Sequence, residues 1–176
     1  MTPHALNWSS KEAASHILSA ISSGSWIAVS DACVAADGRA SIAWGIFSPS
    51  GILATCGARI LPSGVSSTDA EALACSSAAA ELSRMRAGPS ISVSDCLPAV
   101  QMLGREAAAT SPRSQEALAA WEESTRGEAR SVLWVPRSLA APANDAARKI
   151  LGLPPETRAR RPWSGWLPVL FKLSCQ

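Results

Sequence analysis

Three β-rich runs follow one another between Trp26 and Leu61 with only turn chemistry between them, and this most narrows what the chain can fold into. The first run, Trp26-Ile27-Ala28-Val29-Ser30-Asp31, is compact and apolar, ends in a carboxylate, and is followed by a turn at Asp37-Gly38. Residues 40–47 and 52–61 are the next two, separated by Ser48-Pro49-Ser50-Gly51. Connections this short join antiparallel neighbours, so the runs predict a three-stranded meander.

After Pro62 and Gly64 the pattern changes to alternating helices and strands. Residues 68–86 read as an Ala/Leu-rich helix closed by Gly88-Pro89, and 91–95 alternate like a strand that again ends in an aspartate. Helical stretches over 97–109 and 115–124 follow, then a Val/Leu/Trp-rich strand over 129–135, a loop from Ser138 to Pro142, and a short helix over 143–151 ended by Gly152. An amphipathic helix over 9–23 precedes the meander, with Ala13, Ile17, Leu18 and Ile21 at helical spacing. The order β-β-β-α-β-α-α-β-α predicts an α/β domain whose sheet mixes antiparallel and parallel pairs.

Composition narrows the function classes. With 47% hydrophobic and 17% charged residues, the chain of 176 residues has enough apolar side chain for a core and too little charge for a disordered tail. No apolar run reaches 18 residues and no basic start precedes an apolar stretch, so neither a membrane span nor a secretory signal is expected, and a cytoplasmic or nuclear location is. Cys33, Cys56, Cys75, Cys96 and Cys175 form no C-x-x-C pair and read as reduced core residues. The net charge of +2 is uneven: residues 1–125 carry 7 Lys/Arg against 11 Asp/Glu, and 126–176 carry 9 against 3. An acidic body with a basic C-terminal third suits a carboxylate site beside a surface for a polyanion.

Three acids occupy special places: Asp31 at the end of the first strand, Glu71 in the first turn of the helix after the meander, and Asp95 at the end of the fourth strand. Strand ends and a helix start converge readily, and three carboxylates offer hard oxygen ligands suited to Mg²⁺ or Mn²⁺. Each acid also has a purely structural explanation. Thr68-x-x-Glu71 has capping-box spacing, Asp95 stands where it would cap the helix near Leu97, and Asp31 where it would serve a turn.

The element order and the acids at 31, 71 and 95 resemble the type 1, retroelement-related ribonuclease H family over about residues 25–152. The segments that carry the resemblance are Ala28-Val29-Ser30-Asp31-Ala32, Thr68-Asp69-Ala70-Glu71-Ala72-Leu73-Ala74, Ile91-Ser92-Val93-Ser94-Asp95, and Leu133-Trp134-Val135-Pro136-Arg137 followed by Asn144-Asp145-Ala146-Ala147. The resemblance implies a five-stranded mixed sheet flanked by helices, to which this chain adds an N-terminal helix (1–24) and a basic, Trp-containing C-terminal tail (153–176). It further implies a Mg²⁺-dependent (or Mn²⁺-dependent) endonuclease that cuts the RNA strand of RNA/DNA hybrids, with Asp31, Glu71 and Asp95 as metal ligands. The family's fourth acid lies four residues after the helix Asn, where this chain has Arg148, and Asp145 stands three residues earlier as a catalytic substitute. Ser138 replaces the loop His.

Arg137 and Asn144, together with Arg158, Arg160 and Arg161, are the expected nucleic-acid contacts, and the tail is a surface open to a protein partner. Trp163 and Trp166 near those arginines fit either base stacking or packing on the domain itself. Arg148 and the missing His support a rival reading, a ribonuclease H-fold module that binds nucleic acid without cutting it. A 3′ to 5′ exonuclease on the same fold is disfavoured, since Ala32-Cys33 follows Asp31 where those enzymes have Asp-x-Glu.

Overall fold

Ser9 and Glu12 close a capping box at the start of helix α1 (Ser10–Ser22): the Glu12 amide donates to the Ser9 hydroxyl at 3.2 Å and the Ser9 amide donates to the Glu12 carboxylate at 2.7 Å. The computed structural model describes residues 9–156 and 161–176. After α1 come β1 (Trp26–Val34), β2 (Ala40–Phe47), β3 (Leu53–Leu61), α2 (Ser67–Arg84), β4 (Ser90–Ser94), α3 (Leu97–Leu103), α4 (Pro112–Thr125), β5 (Arg130–Trp134), α5 (Ala141–Ile150) and α6 (Trp166–Ser174).

The five strands form one sheet in the order β3-β2-β1-β4-β5. The meander pairs antiparallel, as its short turns require, and β4 and β5 join parallel to β1 through helical crossovers. Helices cover both faces. On one, Ala32, Ala40 and Ile42 pack beneath α2, α3 and α4; on the other, Ile27, Val29, Phe47 and Val93 pack beneath α1, α6 and the start of α5. Helix α2 buries ten of its 18 residues. Its Ala70, Ala72, Ala74, Ala78 and Ala79 are wholly buried, and side chains this small let the helix lie close on the sheet.

Three elements differ from expectation. Helix α3 ends at Leu103, well short of 109, because Gly104 caps it and Arg105 adopts a left-handed backbone with φ of 65°. Residues 166–174, expected as a tail, form helix α6 with Pro168 in its first turn, where a missing amide hydrogen costs nothing. The cysteines divide: Cys33 and Cys75 are buried, but Cys56 and Cys175 are exposed, so a core role fails for these two. Among the described residues, no helix is long and apolar enough to cross a membrane.

The C-terminal segment packs on its own domain. Trp166 is 1% exposed, stacks on Phe47 with ring centroids 4.3 Å apart, and donates its indole N–H to the Leu139 carbonyl at 2.8 Å. Trp163 lies on Gly45, where an added Cβ would come within 2.6 Å of its ring. Base stacking by Trp166 is thereby overturned, since the ring is buried against Phe47 and its N–H is already engaged.

Candidate metal centre

Strand register brings the first two acids together. Val29 pairs with Val93 at the last matched position of the parallel β1–β4 ladder, and Asp31 and Asp95 each stand two residues further on. Strand β4 ends at Ser94, whereas β1 runs on to Val34 against β2, with Asp31 opposite Ala43. Asp31 is therefore inside its strand and 2% exposed, not at a strand end, and the turn explanation for it fails.

The third acid arrives from above the sheet. Ser66 caps α2, its hydroxyl accepting the Asp69 amide at 3.1 Å, so the helix starts one residue before Thr68 and Glu71 falls in the second turn. No capping box involves Glu71. Its side chain is buried and reaches β1, where the Ala32 amide donates to Asp31 Oδ1 at 2.7 Å and to Glu71 Oε1 at 3.2 Å. Asp95 caps nothing either. Cys96 precedes α3 with no side-chain cap, and the Trp134 indole N–H donates to the Asp95 carbonyl at 2.9 Å, tying this acid to β5.

Ligand oxygens of Asp31, Glu71 and Asp95 lie within 4.8 Å of one another. The Ala32 amide holds one oxygen of Asp31 and one of Glu71, while Asp31 Oδ2 and Glu71 Oε2 are buried with no hydrogen-bond partner. Burial is the main influence on all three groups and disfavours their ionised forms. It pushes Asp31 up to about 7, with the neighbouring Asp95 charge adding to the rise. Glu71 is raised well above the usual carboxylate range by burial and then by the neighbouring Asp31 charge. Asp95 is raised by burial against the opposing pull of Arg137. Three clustered carboxylates with two buried oxygens unpartnered offer the hard donor set that a divalent cation would take.

Other expected residues fall around this centre. Arg137 sits in a single 3₁₀ turn, Arg137–Leu139, with its Nε 4.0 Å from Asp95 Oδ2. It shares a cleft of about 210 Å³ with Asn144, Asp145 and Arg161. Helix α5 starts at Ala141, so Asn144 lies within it and does not open it. Asp145 is buried and accepts the Arg161 amide on Oδ2 at 2.6 Å; it is outside the three-acid group. Arg148 turns to the end of α5 and donates from Nε to the Pro154 carbonyl at 2.6 Å. Arg158 and Arg160 lie outside the described residues.

Sequence reasoning missed Glu156. It grips Arg137 at the mouth of the site, and nothing in the sequence links the two across 19 residues.

Residues 29–150 match the family model described as reverse transcriptase-like. A comparison with curated proteins found no match. Among solved structures, RNase H1 from the halophilic archaeon Halobacterium salinarum superposes with a TM-score of 0.66 at 18% identity, over 73% of this chain and 98% of that one. The N-terminal RNase H domain of a Mycobacterium tuberculosis protein, solved as a fusion with maltose-binding protein, gives 0.65 at 12% identity over 73% and 96%. LC11-RNase H1, isolated from compost and solved in complex with an RNA/DNA hybrid, gives 0.62 at 18% identity over 72% and 99%. At these identities the likeness is one of fold, and it extends over nearly the whole length of each of the three.

Proposed function

The chain belongs to the reverse transcriptase-like family with a ribonuclease H fold, and from that premise we propose that it is a divalent-metal-dependent endoribonuclease cutting the RNA strand of RNA/DNA hybrids. The observation that carries this is the convergence of Asp31, Glu71 and Asp95, whose ligand oxygens lie within 4.8 Å, with Asp31 Oδ2 and Glu71 Oε2 buried and unpartnered. A native fold rarely buries such oxygens unless something else fills their coordination. The hybrid bound by LC11-RNase H1 supports the choice of substrate.

In this reading Asp31, Glu71 and Asp95 hold the cation. Bound there, it would supply the activation of a water and the stabilisation of the leaving oxygen of a phosphodiester. The protein groups have separate tasks. The Ala32 amide turns one oxygen of Asp31 and one of Glu71 away, leaving the other pair free for ligation. Trp134 fixes the backbone at Asp95, and Arg137 places a cation beside the acids to meet phosphate. The reading assigns no task to His16, the one histidine among the described residues, which is on α1.

Two observations favour the rival reading of a binding module that does not cut. Asp145 is engaged by the Arg161 amide, and the fourth acidic position holds Arg148. The test is incubation of the full chain with end-labelled RNA/DNA hybrid in Mg²⁺ and in Mn²⁺. Cleavage of the RNA strand alone, absent in EDTA and in Asp31→Asn, is expected. Binding of the hybrid without cleavage in either metal would instead establish the module.

A further inference from the structure

Arg137 is held by a carboxylate from beyond the family's matched segment, which ends at residue 150. Its Nε and Nη2 donate to Glu156 Oε2 and Oε1 at 3.0 and 2.6 Å, a two-pronged grip, while the same Nε stands 4.0 Å from Asp95 Oδ2. A guanidinium presents one planar fork to carboxylate and phosphate alike, so Glu156 fills the place a phosphate would take. The Arg137 and Glu156 side chains are 63% and 44% exposed, and exchanging one partner for the other requires no unpacking of the core. Their cleft also contains Arg161, a second cation, and Asn144, whose buried Oδ1 has no partner.

We infer that Arg137 anchors a backbone phosphate of the hybrid beside the three acids, and that Glu156 is the internal competitor that holds the fork until substrate enters. The inference rests on the hybrid-nuclease reading above. Arg137 touches substrate directly, whereas Glu156 acts only through Arg137 and is a positioning residue. Removing the competitor tightens substrate binding, and only while Arg137 is there to be released. Removing Arg137 deletes one phosphate contact and with it one share of the salt dependence.

The experiment is fluorescence anisotropy of a labelled RNA/DNA hybrid with four full-length proteins: wild type, Glu156→Gln, Arg137→Ala and the double variant. Ca²⁺ replaces Mg²⁺ to balance the carboxylates, and salt runs from about 50 to 200 mM. Exposed ion pairs are weak, so Glu156→Gln is expected to bind about 1.5- to 5-fold more tightly than wild type with an unchanged salt slope. Arg137→Ala should bind more weakly with a slope lower by about one, and Glu156→Gln should add nothing to it. Equal tightening by Glu156→Gln with and without Arg137 would reduce the effect to a bulk charge change and overturn the inference. Cleavage by wild type alongside identical binding by wild type and Glu156→Gln overturns the inference alone. Absence of hybrid binding by all four proteins overturns the hybrid-nuclease reading together with it.

Discussion

The corner where β1 and β4 part and the corner where Trp166 meets Phe47 bury unusual side chains in opposite ways. At the tryptophan corner every demand is met: the indole stacks at 4.3 Å and its N–H finds the Leu139 carbonyl at 2.8 Å. At the carboxylate corner Asp31 and Glu71 are buried next to each other, with two oxygens unpartnered and ionisation opposed by burial. One corner is a source of stability. The other is a strain that the rest of the fold carries and that a divalent cation would relieve, the trade expected of a functional site.

The largest effect should come from breaking the satisfied corner. Trp166→Ala removes the stack and the indole hydrogen bond, and large-to-small core changes of this kind cost about 3–5 kcal/mol. For a chain of this size that is a fall in Tm of roughly 6–20 °C, measured by circular dichroism. A fall of under about 2 °C would mean that α6 is a loose cover and the contrast between the corners is false.

A more gradual effect, spread over about three pH units, should appear on titration of the strained corner without metal. Asp31 has a folded-state pKa of about 7 against an ordinary value of 3.8. The folded chain therefore binds more protons than the unfolded one between those values, and this contribution to stability is full below about 4 and lost as pH rises through about 7. The slope for one such proton is at most about 1.4 kcal/mol per pH unit. Denaturant unfolding in EDTA across this window should show the decline, and Asp31→Asn should flatten it. A stability that rises with pH in wild type and not in Asp31→Asn would contradict the assignment.

Arg148 offers the smallest and sharpest discrimination. If its guanidinium balanced the acids, Arg148→Ala would move the pH profile. Because Nε instead donates to the Pro154 carbonyl, the expected result is a loss of about 0.5–1.5 kcal/mol with the profile's midpoint in place.

Much of this contrast is legible in the sequence. The meander announces itself through Asp37-Gly38 and Ser48-Pro49-Ser50-Gly51, and the alternation after residue 62 marks the parallel half. The three acids are legible as a set, because each falls within or just after a recognisable element. Their surroundings are less so. Thr68-x-x-Glu71 has the spacing of a capping box, and only the packed helix selects Ser66 as the cap, which moves Glu71 from the capping turn to the site. Helix α6 is masked by Pro168, although Trp166, Leu170 and Leu173 keep a helical spacing that could have found it. Glu156 has no local signal, because its partner Arg137 is reached by tertiary folding alone.

The central claim is that the three acids are a divalent-cation site, and thermal unfolding of wild type and Asp31→Asn in EDTA and in Mn²⁺ tests it most directly. At a free Mn²⁺ concentration of 100 times Kd, wild type should gain about 2.7 kcal/mol, while Asp31→Asn, already relieved of one buried charge, should start higher in EDTA and gain nothing. Equal responses to Mn²⁺ in the two proteins, or none in either, would contradict it.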